Sequence, residues 1–136
     1  MSCYSISDLN GIDADAAKAL RSVGIRTTAK LLEAARTPKG RQQLASKLGV
    51  DRKMVLCWAN KADQMRIKGI GEEYADLLHA AGVKTVRDLK YRNPAMLAKR
   101  MADTNKKRKL VRVLPSDKAV VRWVDAAKKL NIKIKY

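Results

Sequence analysis

The chain matches itself. At an offset of 58 residues, "LNGIDADAAKALRSVGIRTTAKL" (9–31) lies over "IKGIGEEYADLLHAAGVKTVRDL" (67–89) and pairs Gly11 with Gly69, Ala17 with Ala75, Leu20 with Leu78, Gly24 with Gly82, Thr27 with Thr85 and Leu31 with Leu89. At an offset of 65, "VLCWANKADQM" (55–65) lies over "VVRWVDAAKKL" (120–130), so the second copy carries seven more residues, near "DTNKKRKLVRVLPS". Self-similarity at a fixed period is the signature of a duplicated unit, which restricts the fold to one that can be built twice in 136 residues. Units of roughly 60 residues bury only about 60% of their unfolded surface, so the two are expected to lean on each other. We place them at 1–65 and 66–136.

Each copy is punctuated as a run of short helices. In the first, Asp13 caps a helix that Gly24 ends, Thr27 opens the next, Thr37-Pro38 starts a third that closes near Gly49, and Asp51 caps a long fourth helix toward Ile67. In the second, helices are predicted from about Glu72 to Ala81, Val86 to Tyr91, Pro94 to Ala102 after Asn93, and Asp117 to Leu130 after Ser116, with 103–114 unassigned. Val55, Trp58, Ala62 and Met65 form one apolar stripe, and Val120, Trp123, Ala127 and Leu130 repeat its spacing, so both tryptophans are expected in the core. With no phenylalanine in the chain, small aliphatic residues must fill the interior, which favours helix-on-helix packing. The reading is an all-α protein of two tandem units packed as a compact helical array. The tail "NIKIKY" alternates apolar and basic residues and reads as a short strand, a nucleic-acid-tracking arm or, by preference, a frayed terminus.

Thirty basic residues against thirteen acidic ones leave a net charge of +17, where solubility of a small domain needs a magnitude of about 2–8. An anionic partner is expected. The excess is uneven, +5 over residues 1–64 and +12 over 65–136. Its densest part is "KRMADTNKKRKLVR", where Lys99, Arg100, Lys106, Lys107, Arg108, Lys109 and Arg112 are opposed only by Asp103. Such a run is a candidate phosphate-binding patch, and a solvated surface is its plain alternative.

Other chemistries find little support. There is no P-loop, no dinucleotide fingerprint and no Cys/His metal spacing, and no cofactor or metal is expected. The acidic pairs Asp13/Asp15 and Glu72/Glu73 open helices, where carboxylates complement the helix dipole. His79 has no nucleophile at a helical neighbour position and reads as a surface or boundary residue. Cys3 and Cys57 read as reduced structural thiols, with Cys57 expected inside a helix beside a core tryptophan. No apolar run approaches the length of a membrane span, and a cytoplasmic location is expected.

A glycine on either side of one apolar residue, Gly69-Ile70-Gly71, reads as a tight exposed turn between helices that could hold phosphate. The run from Ile67 through this turn, with Ala75, Leu78, Ala81-Gly82-Val83, Thr85 and Asp88-Leu89, resembles a helix-hairpin-helix element of DNA repair, recombination and transcription proteins. Over nearly the whole chain, with "ADQMRIKGIGEEYADLL" at the junction, the sequence resembles an uncharacterised prokaryotic family of tandem, SAM-like helix-hairpin-helix units. The resemblance implies a hairpin whose amides face a DNA phosphate across the minor groove without reading sequence. Its expected contacts here are Gly69, Ile70 and Gly71, with Arg66 and Lys68 supplying charge. In the first copy Asp13 replaces the second glycine, so that hairpin is not expected to bind phosphate.

Charge and resemblance together favour sequence-independent binding of double-stranded DNA through its phosphates, which would make the protein nucleoid-associated. The alternative is a protein interaction or scaffolding module without DNA contact, and RNA is a further possible partner. Aromatic residues available for stacking single-stranded bases are few, namely Tyr74, Tyr91 and Tyr136.

Overall fold

A computed structural model describes residues 4–9 and 11–136. After a 3-10 turn at Ile6–Asp8 come eight α-helices: α1 Ala14–Ser22, α2 Thr28–Ala34, α3 Pro38–Leu48, α4 Arg52–Gln64, α5 Glu72–Ala80, α6 Val86–Lys90, α7 Pro94–Arg108 and α8 Asp117–Lys129. Among the described residues there is no strand, only an isolated antiparallel bridge between Ser5 and Thr27. The expected all-helical architecture is present.

The start signals act as capping chemistry requires. Asp13, Thr27, Thr37, Asp51, Thr85, Asn93 and Ser116 stand at N-caps, and each side chain accepts a hydrogen bond from a first-turn backbone N–H. Paired reverse bonds close α1 and α5 in the same manner: Ile25 N–H to Leu20 C=O at 2.9 Å with Gly24 N–H to Arg21 C=O at 3.0 Å, and Val83 N–H to Leu78 C=O at 2.8 Å with Gly82 N–H to His79 C=O at 3.1 Å. These are Schellman closures, which turn the chain sharply into the next helix.

One helix exceeds its expected length. α7 continues past Ala102 to Arg108, because cations in the last turn complement the helix C-terminus. It then stops at Lys109, whose φ of 51° is the one positive value outside glycine among the described residues. Asn105 holds the end in place: its Oδ1 accepts from Val111 N–H at 2.9 Å and its Nδ2 donates to Val111 C=O at 3.1 Å.

α2 and α3 pack on α4, α6 and α7 pack on α8, and α5 lies against both α4 and α7. One continuous core contains residues of both halves, including Leu20, Leu31, Val55, Leu77, Met101 and Val120. Trp58 and Trp123 are both buried, at 2% and 3% exposure. The Trp58 indole N–H donates to Gly11 C=O at 3.2 Å, and a Cβ on Gly69 would stand 3.1 Å from Trp123 Nε1. Each tryptophan therefore lies beneath a glycine turn, which sets the height of that turn above the core.

Two expectations are corrected. The C-terminal tail is neither frayed nor a strand: Ile134 is buried, Lys135 N–H donates to Arg36 C=O at 2.8 Å, and Arg41 donates to Lys135 C=O at 2.8 Å. Tyr136 Oη–H reaches Asn60 Oδ1 at 2.7 Å. The tail thus straps the second half onto the first, using an apolar side chain and backbone bonds that local sequence patterns do not reveal. Cys57 is exposed, not an interior thiol, because it falls just off the buried stripe through Trp58; Cys3 lies outside the described residues.

Candidate nucleic-acid interface

The glycine turn leads from α4 into α5. Gly69 has a φ of 96°, and with Trp123 close beneath it neither the backbone nor the space suits a side chain. Gly71 differs: its φ is −95°, and a Cβ there would meet only Tyr4 Oη at 3.9 Å. Gly71 is the N-cap of α5, and among the described helices α5 alone opens without a side-chain cap. Ile70 is completely buried and anchors the turn, so its side chain is not available to a ligand. Lys68 is exposed.

Arg66 is turned inward. Its guanidinium pairs with Asp63 at 2.7 Å, both side chains being largely buried, and donates to Asn131 C=O at 3.1 Å. Burial raises the Asp63 pKa, an effect that Arg66 opposes. Beside the turn, burial and then the carboxylates of Asp76, Asp8 and Glu73 raise the pKa of Glu72. The glycine turn is consequently bordered by acidic groups on one side. On the other lies a cavity of about 730 Å³ that Lys68 shares with Arg122, Trp123 and the 113–116 segment.

All seven cations of the basic run are exposed, and none is ion-paired among the described residues. Lys99 and Arg100 project from α7, and the Arg100 guanidinium lies against the α5–α6 turn, where a Cβ on Gly82 would be 3.2 Å from it. Lys106, Lys107 and Arg108 form the last turn of α7, followed by Lys109 and Arg112 in the linker. Arg108 reaches a second cavity, of about 580 Å³, whose walls bring in Lys53 and Lys61 from α4 and Lys84 from the α5–α6 turn.

Lys53, Lys61, Lys84 and Arg122 carry no signal in the sequence. They are isolated lysines and an arginine on ordinary helix faces and turns, and only packing brings them beside the basic run and the hairpin. Within the Arg108 cavity Lys61 pairs with Asp76 at 2.9 Å. His79 also lines it, with its pKa lowered to about 4 by burial and then by Lys61, against the opposing pull of Asp76. Its imidazole is neutral at pH 7, and its buried Nε2 has no hydrogen-bond partner among the described residues.

The glycine turn and the Arg108 cavity lie toward opposite ends of α5, whose nine residues span about 13 Å. The linker after α7 runs between them: Leu110 lines the cavity with His79 and Ala80, and Tyr74 Oη–H donates to Val113 C=O at 2.9 Å. Of the expected site residues, Lys68 stands exposed at the glycine turn and the seven cations from Lys99 to Arg112 stand exposed along α7 and its linker, while Arg66 and Ile70 are turned inward. Among the described residues, no group of three or more His, Cys, Asp or Glu side chains could hold a metal ion.

Fold and surface define a class: an all-helical protein with a large, uncompensated positive surface. The chain belongs to the domain-of-unknown-function family DUF4332, whose model matches residues 10–130. No curated protein and no solved structure matches it. No helix of the described residues is long and apolar enough to cross a membrane.

Proposed function

We propose that the protein binds nucleic acid without sequence preference, its main ligand being double-stranded DNA held through backbone phosphates. The observation carrying this reading is the set of seven exposed, unpaired cations from Lys99 to Arg112, extended by Lys53 and Lys84 at the Arg108 cavity. Unneutralised cations on a rigid helix end bind a polyanion by releasing its counterions, and that term is independent of base sequence.

The same proposal takes residues 1–65 and 66–136 as two duplicated, SAM-like helix-hairpin-helix units. Supporting it are the 58-residue match, the equal nine-residue lengths of α1 and α5, the equal thirteen-residue lengths of α4 and α8, and a tryptophan beneath a glycine turn in each half. The second hairpin would add backbone amides at Gly69, Gly71 and Glu72 to the phosphate surface, with Lys68 beside them; the first would not, since Asp13 uses its own carboxylate to cap α1. The residues act by binding alone, with no catalytic role, and the protein would lie on cytoplasmic, nucleoid DNA.

Titration against duplex DNA, duplex RNA and single strands at several salt concentrations tests this. For a phosphate binder, log affinity falls linearly with log salt, with a slope of about −0.9 per phosphate neutralised on duplex DNA. A slope matching at least about four phosphates is expected, equal for unrelated duplex sequences. A flat response to salt would leave a scaffolding module, and a preference for duplex RNA would change the ligand.

A further inference from the structure

Behind the strapping tail lies a groove between α6, the end of α8 and residues 131–136, with a volume of about 320 Å³. Its floor is apolar, formed by Val86, Ala127 and Ile134, all buried. Its lining also includes two exposed tyrosines: Tyr91 is 73% exposed and Tyr136 59%. No packing need explains Tyr91. Its ring stands in solvent at the end of α6, with the Lys90 ammonium 5.1 Å from the ring centroid.

The charges around this groove are also specific. Arg87, Lys90 and Lys133 line it, Lys133 also standing 3.9 Å from Glu33 Oε2, while Asp63, the one acidic side chain among the described lining residues, is held by Arg66 at 2.7 Å. An apolar floor with exposed aromatic faces and a cationic border suits a ligand that is flat and aromatic at one end and anionic at the other.

From this juxtaposition we infer that the groove between α6 and the C-terminal tail receives an unpaired nucleotide, its base stacked on Tyr91 and its phosphate met by Arg87, Lys90 and Lys133. Base-on-tyrosine stacking is tolerant of sequence, because every base has a π-face. The groove thus gives a protein that tracks duplex phosphates a means of favouring places where a single strand leaves the duplex. This rests on the proposed function for the identity of the ligand as nucleic acid, but on neither the hairpin nor the basic run for its chemistry.

The test compares a blunt duplex, the same duplex with a short single-stranded overhang, and an unpaired oligonucleotide, the latter two carrying 2-aminopurine in the single-stranded part. The overhang should bind roughly tenfold more tightly than the blunt end, with 2-aminopurine emission quenched by stacking. Tyr91→Ala should remove both the preference and the quench and leave blunt-duplex affinity unchanged, while Tyr91→Trp should keep both. Tyr91 is exposed enough that neither variant should disturb folding. Blunt-duplex binding without an overhang preference, or a preference and quench indifferent to Tyr91→Ala, overturns the inference and leaves the duplex reading in place. Oligonucleotide binding with a Tyr91-dependent quench but no duplex binding upholds the groove and removes the duplex reading. Absence of binding to all three removes both.

Discussion

Lys109 and His79 show how single residues divide stability from binding. Lys109 holds a left-handed conformation that costs a side-chain-bearing residue about 1–2 kcal/mol and that glycine adopts freely. Lys109→Gly should therefore raise the melting temperature by about 3 °C while removing one cation from the proposed phosphate surface. Thermal unfolding and duplex affinity, measured on the same sample, should move in opposite directions; parallel decreases would mean that Lys109 is structurally required. His79 gives a pH signature. Its folded pKa of about 4 lies below the ordinary 6.5, so the unfolded chain binds the proton more readily. Its contribution to stability is complete above pH 6.5 and is lost as pH falls toward 4, on the order of 2 kcal/mol after allowing for partial solvent exposure. Lys61 and Lys84 disfavour the imidazolium and Asp76 favours it. Denaturant unfolding from pH 7 to pH 4 should show the decline, and His79→Phe should flatten it. An imidazole midpoint near 6.5 in an NMR titration would contradict the shift.

At the scale of elements, the tail has an importance that its composition conceals. Residues 131–136 form no helix or strand, yet Ile134 inserts into the core and backbone carbonyls at Asn131, Lys133 and Lys135 receive Arg66, Arg36 and Arg41. Arg41 is buried, with burial lowering its pKa, and its guanidinium donates to the carbonyls of Ala35 and Lys135. Removing 131–136 would expose its guanidinium and forfeit the burial of Ile134, together about 3 kcal/mol. We expect the truncated chain to unfold at clearly lower denaturant, with a smaller effect for Tyr136→Phe, which removes only the bond to Asn60. Equal stability of the truncated and full chains would mean that the tail rests on the surface without holding it. α7 illustrates the converse. Its extension to Arg108 accounts for 103–108 of the segment left unassigned and sets the basic turn beside the C-terminal end of α5, with Asn105 fastening the chain that follows.

Across the whole molecule, charge separates from fold. The cations from Lys99 to Arg112 lie outside every ion pair of the described residues, and exposed charges of this kind contribute little to stability. Replacing Lys106, Lys107, Arg108 and Lys109 together with alanine should leave the helical content intact and weaken duplex binding equally for unrelated sequences. The salt slope should shrink by roughly 0.9 for each phosphate that is no longer neutralised. An unchanged slope in the folded variant would reduce the patch to a solvated surface. Arg66→Ala behaves differently. It would strand the buried Asp63 carboxylate at a cost of up to about 3 kcal/mol, so weaker binding in that variant would first have to be distinguished from failure to fold.

The sequence by itself determined the helical class, the helix starts and the burial of both tryptophans. These follow from short-range causes: a capping oxygen three residues from the N–H it accepts, a glycine able to take positive φ, and an apolar stripe of helical period. It also determined the net charge and the location of its densest run. Only the tertiary structure decided which charges share a surface, because that depends on residues far apart in the chain meeting in space. Packing turned Arg66 inward to Asp63, buried Ile70, brought Lys53, Lys61 and Lys84 around Arg108, and set acidic groups beside the glycine turn. The tail shows the same division. Its alternating residues carry no local preference strong enough to order it, and it is ordered because the fold buries Ile134 and the first half supplies guanidinium donors for its carbonyls.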